Sequence, residues 1–452
     1  MQGKAAVPEV EQSKAAQAWL RSADAEATRR AAGTTPHRRR RAAYDYKLRL
    51  LDLGHETFAK YGSDHPRVQA FDHFCQHYAW WLDHYALFRA LKEEQDWHSW
   101  EDWPAGLRDR QPRALAQARA RLAARIRFFQ YVQWVAAEQW WAVRRHAFER
   151  RVLLKGDLPF VCSRDSADVW AHPDLFDLSG SAGAPPDDFS ATGQAWGLPL
   201  YNWAALRATG FAWWRERARH ARDLYDIFRV DHVVGLYRTY SIPTREGGTA
   251  GFVPSDEGLQ RHQGDGLMHG ILQEANPATT VVAEDLGTVP RFVRDSLASM
   301  RIPGYRVFRW ERYDNVYLDP RNYPQLSIAT TGTHDTDTLI AWWQALHDGE
   351  RIAIEQAIGL APQHDPPPVP RPFHDAHPAI LQRLYESGAD LTIFPLQDLF
   401  GWTDRINVPA TVGPQNWSWR IPVATQALDD LPGVRGRLEQ VRGMIDRTGR
   451  WS

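Results

Sequence analysis

At 452 residues the chain is long enough to bury a large core and to run as one barrel with insertions. Acids and bases are interspersed and nearly cancel, at a formal net charge of -1, which excludes a broad basic face for nucleic acid and fits a neutral or weakly charged substrate. Cys75 and Cys162 lie far apart without a CxxC pair, so neither a disulfide framework nor a zinc site is indicated, and no run approaches the ~18 apolar residues of a membrane span. With no continuous apolar stretch near its start, the chain is expected to be soluble and cytoplasmic, with neither nucleic acid nor membrane as a partner.

Residues 1–43 are rich in Ala, Arg and Glu and contain His37-Arg38-Arg39-Arg40-Arg41. They read as a charged N-terminal extension, mobile or helical, with the basic run more readily a solvated cluster than a site for an anion or nucleic acid. Residues 44–150 carry helical periodicity through Phe71 to Leu91 and again through Leu122 to Phe148, joined by the polar, proline-bearing stretch from Trp100 to Pro112. The series Phe74, Tyr78, Trp81, Tyr85 and Phe88 alternates spacings of four and three, which puts one helical face into a core. A helical subdomain is therefore expected here.

From 151 to 452 the texture changes to βα alternation, expected as the catalytic region. Strand-like runs stand at Val152–Lys155, Tyr225–Val230, Thr279–Ala283, Tyr305–Trp310, Ser327–Thr331 and Leu391–Leu396, most of them separated by helical stretches. Pro159 to Asn202 is too irregular for an ordinary connection, and loops of that length in compact domains are usually functional. Within it Trp196 is flanked by Gly193 and Gly197, in a setting that presents an aromatic ring rather than burying it.

Three acids follow such runs: Asp231 after Ile227-Phe228-Arg229-Val230, Glu284 after Val281-Val282-Ala283, and Asp335 after Thr331-Gly332-Thr333-His334. A parallel barrel presents acids in this way at the mouth where its strands stop. One such acid alone is more often a helix N-cap or a loop solvator. Three together point to glycosidic-bond chemistry, which needs paired carboxylates.

These segments resemble the catalytic segments of the amylomaltases, the 4-α-glucanotransferases of glycoside hydrolase family 77. Gly156-Asp157-Leu158-Pro159, Asp165-Ser166-Ala167-Asp168-Val169-Trp170, Pro185-Pro186-Asp187-Asp188-Phe189-Ser190, Gly193-Gln194-Ala195-Trp196-Gly197 and Arg405-Ile406-Asn407-Val408-Pro409 resemble further family motifs in the family's order. The likeness runs from about residue 70 to the C-terminal region. It implies an α/β fold, a (β/α)8 TIM-barrel-type glycosidase with helical insertions. The six strand-like runs resemble the third to eighth barrel strands, so the first two are expected to be lacking in this chain.

The resemblance also implies roles. Asp231 is the expected nucleophile, Glu284 the general acid and base, and Asp335 the third carboxylate, which binds sugar hydroxyls and favours the oxocarbenium-like transition state. Retaining chemistry places the first two carboxyls roughly 5 to 5.5 Å apart. Arg229 shares a strand face with Asp231 and would hold it ionised, with structural neutralisation as the alternative. Glu284 and Asp285 would point oppositely, one to the barrel mouth and one to a structural hydrogen bond. His334 would donate to a hydroxyl of the ring that Asp335 binds; Asp157, Asp187, Gln194, Trp196 and Asn407 match positions around the glucan cleft. Thr336 and Ala410 depart from the family, which commonly has asparagine and glycine there.

The expected activity is transfer of α-1,4-glucan segments between malto-oligosaccharides by double displacement, with starch- or glycogen-derived glucans as substrates. Neither metal nor cofactor is implied. Two other readings use the same residues: an α-glucan hydrolase, and an inactive, truncated glucan-binding relative.

Overall fold

The computed structural model describes residues 7–33, 40–186, 193–244, 249–313, 316–360, 370–409, 411 and 413–450. They divide into two compact units, with the boundary between Val281 and Val282.

The first unit begins in helices. Pro66–His77 starts with proline at its first turn and with the His65 ring accepting from the Arg67 N–H. It meets Ala79–Glu94 at Tyr78, so the aromatic face expected from the sequence changes helix there. Phe74, Tyr78 and Leu82 from this pair pack with Phe58, Phe71, Tyr131 and Trp134, the last two from the long helix Ala123–Phe148. Near the N-terminus Pro8–Gln12, Lys14–Leu20 and Ala23–Gly33 are helical. Glu9 is fully buried and accepts from Arg67 Nε at 2.7 Å, while Arg67 also forks onto Glu138.

Strands follow. β1 (Lys155–Leu158) pairs in parallel with β4 (Ile227–Val230), and β7 (Thr280–Ala283) completes this sheet in the order β1-β4-β7. A second, antiparallel sheet runs β3-β2-β5-β6, from β2 (Phe176–Ala184), β3 (Gln194–Tyr201), β5 (Thr239–Pro243) and β6 (Gly251–Val253). The expectation of an irregular Pro159–Asn202 connection is corrected accordingly. β2 reads Phe-Asp-Leu-Ser-Gly-Ser-Ala-Gly-Ala, whose small residues show no apolar alternation. Pairing with β3 on one edge and β5 on the other makes it a strand.

In the second unit β8 (Gly304–Val307), β11 (Ser327–Thr330) and β12 (Leu391–Thr392) form a parallel sheet in the order β12-β11-β8, beside the short antiparallel pair β9 (Arg312–Tyr313) and β10 (Val316–Tyr317). Phe308, Ala329, Leu339, Trp343, Ile354 and Ile380 fill its core. Each of the six expected runs contains or overlaps a strand, with shifted ends. The first moves to Lys155–Leu158 because Leu154 C=O takes the N–H groups of Asp226 and Ile227, leaving Val152 and Leu153 exposed. The last stops at Thr392 because Pro395 caps the helix Leu396–Phe400. No helix among the described residues is long and apolar enough to cross a membrane.

Candidate active site

In β4 Ile227, Phe228 and Val230 are buried, and alternation puts the half-buried Arg229 on the same face as Asp231, the residue after the strand. The β1–β4 register sets Asp157 opposite Arg229. One guanidinium therefore reaches two carboxylates: Nη1 lies 2.8 and 2.9 Å from the Asp157 oxygens, and Nη2 lies 2.8 Å from Asp231 Oδ1. Asp231 Oδ2 accepts from the Phe160 N–H at 3.3 Å. Lys155, two residues before Asp157, joins this charged face; burial, then Arg229, brings its ammonium down to about 8.

Trp196 is half-buried, its ring edge-on to His232 with centroids 5.1 Å apart, and its Nε1–H donates to Gln194 Oε1 at 3.3 Å. It sits on a bulge: β2 and β3 slip register beside Ala182, and Gly197 takes φ 68°, with its N–H on Ser181 Oγ at 2.9 Å. That backbone favours glycine. Trp196 is thus displayed by a bulged strand rather than by a loop. Burial holds the His232 imidazole down at about 4, against the opposing pull of Asp231, so this ring is neutral near pH 7.

In the second unit Glu284 follows β7 directly and is half-buried. Its neighbour Asp285 is buried and accepts from the Tyr305 N–H at 2.6 Å and from Arg306 Nη1 at 3.3 Å. Glu311 belongs to the same charged group; burial pushes its carboxyl up, against Arg306 and Arg294. Asp335 stands in a turn beyond the end of β11 at Thr330, not at a strand end as its preceding run suggests. Thr336 closes that turn, its hydroxyl accepting from the Thr333 N–H at 3.0 Å and donating to Thr333 O at 2.9 Å. Beneath it, Thr331 Oγ1 donates to the buried Asp398 at 2.6 Å.

Asp335 Oδ1 accepts from Asn407 Nδ2 at 2.6 Å, and Oδ2 is 3.2 Å from His334 Nε2. Arg405 donates to the Asp335 carbonyl at 2.7 Å and pairs with Asp337. The His334 ring lies 4.8 Å from Trp417, a half-exposed indole.

The expected site residues thus form two constellations: Asp157, Arg229 and Asp231, with Gln194 and Trp196 near His232, in the first unit; His334, Asp335 and Asn407 in the second, which also holds Glu284. Asp187, Ala410 and the basic stretch His37–Arg39 lie outside the described residues. Sequence reading passed over Lys155, Phe160, Arg405 and Trp417. Phe160 and Arg405 adjoin or belong to recognised motifs, whereas Lys155 and Trp417 carry no local signal. Among the described residues no group of three His, Cys, Asp or Glu side chains could hold a metal ion.

A family model described as 4-alpha-glucanotransferase, glycoside hydrolase family 77, matches residues 6–425. The 4-alpha-glucanotransferase of Chlamydia muridarum (strain MoPn / Nigg) is 33% identical over 379 residues, covering 81% of this chain and 69% of that protein. That of Thermus thermophilus is 33% identical over 395 residues, covering 84% of this chain and 75% of its own. Among solved structures, the amylomaltase from Streptococcus agalactiae in complex with acarbose matches with a TM-score of 0.79 at 26% identity, over 92% of this chain and 81% of that one. With its α/β architecture and its acid-tipped strands, the chain belongs to the 4-alpha-glucanotransferase family.

Proposed function

We propose that this enzyme transfers α-1,4-glucan segments between malto-oligosaccharides, with Asp231 as nucleophile and Glu284 as acid and base. The observation that carries the reading is the clasp on Asp231: one oxygen takes a guanidinium and the other a peptide N–H, so the carboxyl group is held at both oxygens and aimed. Asp231 attacks the anomeric carbon while Glu284 protonates the departing glycosidic oxygen, leaving a glycosyl ester on Asp231 and a shortened glucan. Glu284, now a carboxylate, takes the proton of an acceptor sugar hydroxyl, and that oxygen displaces Asp231, so configuration is retained.

Asp335, with His334 and Asn407 on its oxygens, would bind hydroxyls of the reacting ring. Asp157, Asp187, Gln194, Trp196, Arg229 and Asn407 are assigned to glucan contact, Trp196 by stacking on a sugar face. Glucans derived from starch or glycogen are the proposed substrates. A cytoplasmic setting accords with Cys75 and Cys162 being unpaired thiols, which burial pushes up to about 12 and about 11.

Incubation with maltotriose tests the reading. Glucose together with maltotetraose and longer chains is expected. Glucose and maltose with no longer product would make the protein a hydrolase. Asp231→Asn should reduce transfer at least ~10³-fold without unfolding the protein, and a folded mutant keeping a tenth of the activity would remove Asp231 from the role.

A further inference from the structure

The peptide that donates to Asp231 is itself held. Its N–H belongs to Phe160 and its carbonyl to Pro159, just past the end of β1. Arg217, on the helix Ala212–Leu224, donates from Nη2 to that same Pro159 carbonyl at 2.6 Å. Arg217 is in turn fixed over two indoles, 4.6 Å from the Trp213 ring centroid and 4.4 Å from that of Trp214. The next carbonyl, of Phe160, accepts from the Tyr201 hydroxyl at 2.5 Å. Tyr201 is buried, which raises its phenol well above its ordinary value and keeps it a donor. The Phe160 ring, also buried, packs between Tyr201 and His232 at 5.7 and 5.4 Å.

We infer that Arg217 and Tyr201 are positioning residues for Asp231, acting through the Pro159–Phe160 peptide. A guanidinium on one end of a peptide draws electron density toward the carbonyl and strengthens donation from the N–H at the other end. The same bond fixes the peptide plane, since rotating the N–H away from Asp231 would also pull the carbonyl off Arg217. Tyr201 stops the following peptide from turning instead. The nucleophile is thus aimed by two side chains that touch neither substrate nor carboxylate. Remote misplacement of a reacting group by about 1 Å can cost ~10²-fold in rate. This inference rests on Asp231 being the nucleophile.

The test uses Arg217→Met, Arg217→Lys, Tyr201→Phe and Asp231→Asn in the full chain. Fluoride release from α-maltotriosyl fluoride in single turnover reads the glycosylation step, maltotriose transfer reads kcat and KM, and thermal melts read folding. Arg217→Met should slow glycosylation ~10- to 100-fold with KM within about threefold of wild type. Arg217→Lys, which keeps a charged donor, should recover part of the rate, and Tyr201→Phe should lose about threefold or more.

Wild-type glycosylation in a folded Arg217→Met protein overturns the inference. So does a rate loss that tracks the fall in melting temperature and that lysine does not relieve. If Arg217→Met does not fold, Tyr201→Phe decides, and an unchanged rate overturns the clamp. An inactive Asp231→Asn beside unaltered Arg217 and Tyr201 variants sinks this inference alone. An active Asp231→Asn sinks the nucleophile assignment beneath it.

Discussion

At the scale of single residues, Arg229 shows why residue type and geometry must be read together. Its planar fork serves Asp157 through one nitrogen and Asp231 through the other. An ammonium is a point charge on a flexible stem and cannot hold both carboxylates in one plane. Arg229→Lys should therefore behave as a disruptive change, with kcat reduced ~10-fold or more while the melting temperature moves by a few degrees at most. A lysine variant with wild-type kcat would show that charge alone suffices. Asn407 acts on one oxygen of Asp335 in a partly exposed turn. Asn407→Ala should raise KM and lower kcat by up to about tenfold with little change in urea midpoint, as expected where a hydrogen bond orients a sugar-binding carboxylate; unchanged steady-state constants would remove Asn407 from the site.

At the scale of elements, the helix Glu257–Ala275 sets two effects of opposite sign against each other. Its N-terminus is capped by Asp256, whose carboxylate accepts from the Leu259 N–H at 2.8 Å. Asp256→Ala should cost about 1 kcal/mol. Further along, Gly264 faces Tyr237, a fully buried ring. By helix propensity, alanine at Gly264 should be better by ~1 kcal/mol. A methyl there would, however, sit 2.0 Å from Tyr237 Cδ1, with no room for the ring to retreat. Overpacking costs typically 1–3 kcal/mol or more, so it wins, and Gly264→Ala should be destabilising in urea unfolding. A higher urea midpoint for the variant would mean that Tyr237 moves more freely than its burial indicates.

At the scale of the whole molecule, buried histidines govern how stability responds to acid. Burial brings His55, His84, His232 and His377 from an ordinary 6.5 down to about 4. Above pH 6.5 these rings are neutral in both folded and unfolded chains and cost nothing. Between 6.5 and 4 the unfolded chain binds protons that the folded chain refuses, so stability falls through that window and the histidine loss is complete near pH 4. Carboxyls lowered by arginine partners, such as Glu94 by Arg121 and Glu101 by Arg164, lose their contribution at lower pH still, below their ordinary 4.5. The urea midpoint should therefore already drop between pH 7 and pH 5, before the carboxylates protonate. A midpoint flat over that range would mean that these rings take up protons in the folded protein.

Much of this was legible in the chain because it is local. Apolar residues recurring at helical spacing marked the face that buries Phe74, Tyr78 and Phe88 and half-buries Trp81 and Tyr85, and β-branched runs marked β4, β7 and β11 with an acid shortly after each. Alternation by two placed Arg229 beside Asp231 without any partner strand. What pairs with them was decided only in three dimensions. The register of β1 against β4 brought Asp157 to Arg229 across 72 positions of sequence, and no periodicity encodes such a register. The strand character of β2 came from edges supplied by β3 and β5, since its small residues have no pattern of their own. Likewise Arg217 and Tyr201 reach Pro159 and Phe160 from 58 and 41 residues away. Local periodicity sets which face a side chain takes; packing of distant segments sets what it meets there.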